Sequence, residues 1–188
     1  MVSTPNLSQG EGLIRTYDLL EHLIGDVYQA LETVEKNPES QYLRRSAVRA
    51  VFSFIEGIVH ILKWEIGSDL RLGYSNVKLT QKELEVLRER KERNGENFRI
   101  FISIDENLKK TFRIATKVWG LTAYSFNAGR KEYEHFLSAK EARDRLTHPR
   151  TYYDIDITTM EMYQLVSAFE WVRSEFHALM KAKRHYAK

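Results

Sequence analysis

Apolar side chains at Leu13, Tyr17, Leu20, Ile24, Val27, Leu31 and Val34 recur at steps of three and four residues. That spacing gathers them on one stripe of a helix over about 13–36, which Pro38 closes. The next segment, about 39–66, has the opposite balance. At about 100° per residue, Arg45, Arg49, Ser53, Glu56, His60 and Lys63 fall on a single narrow polar stripe. Ala47, Val51, Phe54, Ile58 and Ile61 fill one side, and Phe52, Ile55, Val59, Leu62 and Ile66 extend it. A helix so patterned is predicted to sit at the centre of a bundle, covered over most of its circumference.

Further along, Gly67–Asn76 reads as a loop, and Thr80 with Glu83 forms a capping box opening a short helix that stops near Asn94-Gly95. Its run from Arg88 to Arg93 is mostly charged, the pattern of a solvated face or, less often, of an RNA-contacting arm. Phe98, Ile100 and Ile102 alternate with Arg99, Phe101 and Ser103, and Ile155 and Ile157 alternate with Asp154 and Asp156. Both stretches are candidates for short extended segments, pairing like a small hairpin. Ser103 with Glu106 is a second capping-box candidate, opening a helix over about 104–119 that buries Leu108, Phe112, Ala115 and Trp119. Gly120–Gly129 loosens the chain. A helix over 131–147 carries Tyr133, Phe136, Leu137, Ala142 and Leu146 and is stopped by Pro149. Thr158 with Glu161 caps the last helix, whose stripe includes Leu165, Phe169, Val172, Phe176 and Leu179. The predicted fold is all-α: an antiparallel bundle of about five main helices with a short charged helical insertion and two short extended segments. It is expected to form one domain across 1–188, with 1–12 and 184–188 flexible.

Composition narrows the function classes. With 43% hydrophobic and 12% aromatic residues, the 188-residue chain carries enough apolar surface for a sizeable core. It contains no cysteine, which excludes disulfides and Cys-based zinc or redox sites and fits a reducing, cytoplasmic compartment. No apolar run approaches the roughly 18 residues of a membrane span, and Met1–Gly12 lacks the pattern of a secretory signal. Basic residues outnumber acidic ones by 29 to 26, a mild bias toward an anionic partner. There is no Gly-rich phosphate loop, no Gly-x-Ser-x-Gly elbow and no acidic cluster at magnesium-binding spacing, which argues against nucleotide and serine hydrolases. Glu132 and His135 supply half of a carboxylate-bridged di-iron pattern, but no second Glu-x-x-His exists to complete it. His22, His177 and His185 are expected on exposed helix faces.

Ionisable groups concentrate instead at the end of the 131–147 helix, in Ala142-Arg143-Asp144-Arg145-Leu146-Thr147-His148-Pro149. There the helix dipole favours a cationic imidazole, which suits acid–base work near neutral pH. Asp144 and His148 lie four apart, so the carboxylate is placed to orient the imidazole. Arg143 is five residues from His148 and turns about 140° away on a regular helix. Two routes bring them together: Pro149 disfavours the α conformation at His148 and opens the last turn, and a two-fold dimer packing this helix end on its copy gathers two arginines and two histidines. For RNA, the histidine takes the 2′-hydroxyl proton or protonates the leaving oxygen, and the arginine neutralises charge growing on the phosphate. Glu56 and His60, on the narrow stripe of the central helix, are candidates to support Arg143 or Arg145 from behind.

These residues resemble the signature of the HEPN superfamily: an arginine followed by Asn, Asp or His and, with four to six residues intervening, a histidine. Arg143, Asp144 and His148 match it, late in the chain and ahead of one more long helix. The resemblance implies an HEPN-like helical bundle and a homodimer through the motif helix. It also implies metal-independent RNA cleavage to a 2′,3′-cyclic phosphate with no cofactor, in toxin, phage-defence or RNA-processing settings. Arg145 and Arg150 would then contact the RNA backbone. Other members are non-catalytic RNA binders or partner proteins, so an antitoxin-like interaction module is the second expectation. Arg130 and His135 repeat the spacing but have Lys131 in the second position, in mid-helix. Where some toxin members carry a tyrosine two residues after the histidine, this chain has Arg150; Tyr152 and Tyr153 are out of register.

Overall fold

In the computed structural model, which describes residues 9–93 and 96–186, the chain folds as α1 (Gln9–Lys36), α2 (Gln41–Arg71), α3 (Gln81–Arg88), β1 (Arg90–Arg93), β2 (Glu96–Arg99), α4 (Ile104–Val118), α5 (Lys131–Thr147), a 3-10 turn (Tyr152–Ile155) and α6 (Thr159–Tyr186). It is mostly helical, with one two-stranded sheet. Parts of the ends expected to be flexible, residues 1–8 and 187–188, lie outside the described residues, as do Asn94-Gly95. Gln9–Gly12 and Arg184–Tyr186 are helical, so α1 starts earlier and α6 ends later than the pattern predicted.

Leu20, Val27 and Val34, seven residues apart, form the buried seam of α1, with Leu23, Ile24, Ala30 and Leu31 packed beside it. They lie against α2, whose Val51, Phe54, Ile55, Ile58, Ile61 and Leu62 are fully enclosed. This is the central helix: it touches α1, α4, α5 and α6. Phe54, Phe112, Phe136 and Phe169 are all fully buried, and Phe54 lies edge-on to Phe169 at 5.1 Å between centroids, an arrangement favoured by the ring quadrupoles. Burying an aromatic or aliphatic side chain of this size contributes about 1.5–3 kcal/mol each, so this contact set drives the assembly.

Two of the three expected capping boxes are present. Thr80 and Glu83 exchange side-chain and backbone hydrogen bonds at the start of α3, and Thr158 and Glu161 do so at the start of α6. Ser103 makes no side-chain cap bond, although α4 starts where predicted. At the far end of α4, Gly120 adopts φ +62 and its N–H donates to the carbonyl of Lys117 while Leu121 N–H donates to that of Thr116. The pair closes the helix with Leu121 buried.

Three further expectations fail, each for a local reason. α2 continues to Arg71, through residues read as a loop, because Ser68 is buried and Leu70 packs on the core. α3 stops at Arg88 rather than near Asn94-Gly95: Glu89 turns left-handed at φ 51, and the charged run that follows becomes β1. The strain at a non-glycine in this region is held by contacts. Glu89 Oε1 accepts from Lys63 Nζ at 2.8 Å and Asn107 Nδ2 at 3.3 Å, and its carbonyl accepts from Ile100 N–H. Finally, the extended segment near Phe98 pairs with β1, in the register Arg90↔Arg99 and Lys91↔Phe98. It does not pair with 154–157, where Tyr152–Ile155 winds into a 3-10 turn capped by Thr151 and Asp154.

Candidate functional site

The motif helix α5 is fixed by one face. Tyr133, Phe136, Ala139 and Ala142 are buried, and the two alanines let its backbone run close to its neighbours. Arg143, directly after the buried Ala142, emerges half-buried beside α2. Its Nη2 donates to Glu56 Oε1 at 2.8 Å and its Nη1 to Asp144 Oδ1 at 3.1 Å. The exposed stripe of α2 thus meets the motif helix here, and of the two arginines Glu56 was a candidate to support, Arg143 is the one it holds.

Asp144 is committed to cations on its own helix. Besides Arg143 it accepts from Lys140 Nζ at 3.0 Å. It touches His148 through the backbone, where His148 N–H donates to the Asp144 carbonyl at 3.3 Å. His148 is the C-cap residue, at φ −134 and ψ 58, outside the α region as Pro149 dictates. Its imidazole is exposed, and no hydrogen bond to it is found among the described residues. Within one chain, then, Asp144 holds Arg143 and does not orient His148.

Arg145 is also bound inward. It donates to Glu161 Oε1 at 2.8 Å and to the Asp156 carbonyl at 3.2 Å, tying the end of α5 to the start of α6. Arg150 has an exposed side chain, and its backbone N–H donates to Asp154 Oδ2 at 2.8 Å. That bond, followed by the one from Thr151 N–H, holds the Asp154 carboxyl below the ordinary carboxylate range. The folded value is the lower one. The cap is therefore complete above the unfolded carboxyl's value of about 3.9 and is lost as pH falls through the still lower folded value. The amide proton shifts of Arg150 and Thr151 are expected to move together on acidification below about pH 4. In Asp154→Ala that titration is expected to vanish.

Two cavities open on the Arg143–Glu56 ion pair. The larger, about 600 Å³, has His60, Glu89, Arg99, Phe101 and Asn107 among its other walls. The smaller, about 400 Å³, adds Arg49, Ser53 and Thr147 from the facing sides of α2 and α5. His148 lines neither. The imidazole that shares a cavity with Arg143 is His60, exposed one turn along α2 from Glu56.

Compared with known proteins, the chain matches no family model, no curated protein and no solved structure.

Two further charged residues, neither of them a site candidate from the sequence, are buried on α2. Lys63 was placed on the polar stripe, yet its side chain is only 8% exposed; burial holds its ammonium below the usual lysine range, and Glu89 is its partner. Arg44, buried beside the apolar stretch, donates to the carbonyls of Pro38 and Ile157. Glu132 is exposed, and His135 is engaged elsewhere, its Nδ1 2.8 Å from Ser167 Oγ. His22 and His177 are exposed as expected; the His185 side chain lies outside those described. Among the described residues, no helix is long and apolar enough to cross a membrane.

Proposed function

We propose that this protein is a metal-independent endoribonuclease of HEPN type, working as a homodimer. The observation that carries the reading is the arrangement at the end of α5. Arg143 faces two cavities while His148, one turn on, is released from the helix with its imidazole in solvent. A two-fold contact at this helix end supplies one protomer's imidazole to the other's guanidinium, the combination phosphodiester cleavage needs. Exposed Tyr152, Tyr153, Met160 and Tyr163, which follow the motif in the chain, supply apolar surface for such a contact.

In the reaction the 2′-oxygen attacks phosphorus and the bond to the 5′-oxygen breaks. His148 accepts the 2′-hydroxyl proton, and the 5′-oxygen leaves with a proton from imidazolium or water. Arg143 shifts from Glu56 toward the phosphate and neutralises its growing charge, with Asp144 holding the guanidinium plane. Arg150 is the exposed cation beside the motif that can reach RNA backbone. Arg145 serves as the strut between α5 and α6.

The second reading is a non-catalytic RNA-binding or protein-interaction module. It is favoured by the double neutralisation of Arg143 and by the absence of an Asp144 contact to the His148 ring among the described residues. Incubation of the wild-type protein with a mixed RNA pool in excess chelator decides between them. The expected products carry 2′,3′-cyclic phosphate and 5′-hydroxyl ends, and 2′-deoxy substitution at the cleaved position blocks the reaction. RNA that is bound and stays intact supports the second reading and ends the first.

A further inference from the structure

The hairpin beside the larger cavity is an unfavourable surface as it stands. Arg90 and Arg99 are direct cross-strand partners, and like charges in that position repel. Neither has a carboxylate in salt-bridge range among the described residues; Glu89, the nearest acid in sequence, pairs with Lys63 and attracts Arg99 only at longer range. Two residues beyond Arg99, Phe101 is 94% exposed at the wall of the same cavity, the most exposed large apolar side chain among the described residues. On the hairpin's other face Phe98 and Lys91 are cross-strand partners, both exposed. Cations interleaved with solvent-facing rings are what a single-stranded nucleic acid requires: charge for the backbone and flat faces for unstacked bases.

The cavity itself has the matching polarity. Arg99, Arg143 and His60 are among its walls, and the two carboxylates there, Glu56 and Glu89, are each paired already, with Arg143 and with Lys63. Asn107, at the same cavity, gives Nδ2 to Glu89 and helps to hold that carboxylate in place. A volume of about 600 Å³ is also within the roughly 300–1,000 Å³ typical of small-ligand sites.

We propose that this cavity is a nucleotide-binding subsite, with a base stacked on Phe101 and the attached phosphate held between Arg99 and Arg143. This rests on the RNA reading above and extends it by naming where the strand enters the site. A nucleotide can come from a single-stranded RNA or as a free mononucleotide, and the two sources are separable.

The test uses the full chain and a fluorescent, uncleavable 2′-O-methyl oligonucleotide of mixed sequence, in chelator. Because Phe101 buries almost nothing, Phe101→Ala leaves the fold intact, and it is expected to weaken binding by roughly 5- to 100-fold, the loss typical of one stacked base. Phe101→Trp is expected to keep the affinity, with its indole emission quenched on titration. Arg99→Ala is expected to weaken binding and to reduce the slope of log affinity against log salt by about 0.7, the signature of one phosphate contact on a single strand. Quenching of Phe101→Trp by AMP or CMP at concentrations equal to those of the oligonucleotide assigns the site to free nucleotides; quenching by the oligonucleotide alone assigns it to RNA. If the wild type binds or cleaves RNA and neither Phe101→Ala nor Arg99→Ala changes its affinity, the subsite is overturned while the ribonuclease reading stands. If the wild type neither binds nor cleaves RNA and no mononucleotide quenches, both fall. Tight binding of a protein through Phe101, with no nucleotide bound, also overturns it.

Discussion

Alanine at His148 is expected to lower kcat for RNA cleavage by about 10²–10⁴-fold, the range for removing a general acid–base group. Arg143→Ala is expected to lose a comparable factor, about 10²–10³, because it removes the donor aimed at the phosphate. Neither substitution touches the core, since His148 is exposed and Arg143 is only half-buried, so thermal stability is expected to stay close to wild type. The informative experiment mixes the two inactive variants after brief unfolding and refolding. In one chain, Arg143 belongs to the cavities and His148 does not. If the site is composite, a mixed dimer regains one intact centre, built from one chain's arginine and the other's histidine. Random pairing then restores up to about a quarter of wild-type activity. Activity equal to the sum of the two residual rates would show that each centre lies within a single chain, and the dimeric arrangement would have to be abandoned.

How much of this was legible in the sequence differed by element. The stripe of α1, the enclosure of α2 and the span of α5 were readable because burial on one helix face imposes a period of three and four residues, and Leu20, Val27, Val34, Phe54, Ile58, Phe136 and Ala142 obey it. Thr80 and Thr158 announced their helices because a capping box is a local bargain between side chain and backbone, made within four residues. The hairpin was not legible in the same way. The run Arg88–Arg93 carries no alternation, and its strand is formed by pairing with Glu96–Arg99 and by the hold of Lys63 and Asn107 on Glu89, both distant in sequence. The candidate site divides along the same line. Glu56 and His60 stood out as candidates to support Arg143 or Arg145 because they lie on the narrow polar stripe of a mostly buried helix; which arginine they face, Arg143, whose cavity they share, is a matter of tertiary structure. Phe101 carried a faint signal, as an aromatic among the polar members of its alternating segment, but only tertiary structure reveals that it stands at a cavity wall. Asp144 and His148 illustrate the reverse: their four-residue spacing permits a contact that Lys140 and Arg143 take instead.

A large loss of stability is expected from truncating Arg44, which is 8% exposed and has no carboxylate in salt-bridge range among the described residues. Its charge is solvated by the protein: Nε donates to the Pro38 carbonyl at 2.7 Å, Nη1 to the Ile157 carbonyl at 2.6 Å and Nη2 to Thr159 Oγ1 at 3.3 Å. Gln41 brackets the same residue, donating to the Ile157 carbonyl and accepting from its N–H, and Arg45 donates to the Ile155 carbonyl. The first turn of α2 therefore staples down residues 155–159, the segment that leads from the motif into α6. Arg44→Ala strips this staple, leaves the Pro38 carbonyl without that donor and opens space next to the buried Ile157. The expected cost is about 3–5 kcal/mol, the sum of lost charged hydrogen bonds and the cavity. For a chain of this size that is a fall in Tm on the order of 10 °C. Lysine keeps the charge but not the planar fork that reaches three acceptors on two segments, so Arg44→Lys is expected to recover less than half of the loss. Chemical denaturation of the three proteins checks this. A cost under about 1 kcal/mol for Arg44→Ala would mean that Gln41 and Arg45 hold the segment by themselves and that the buried guanidinium repays only its own desolvation.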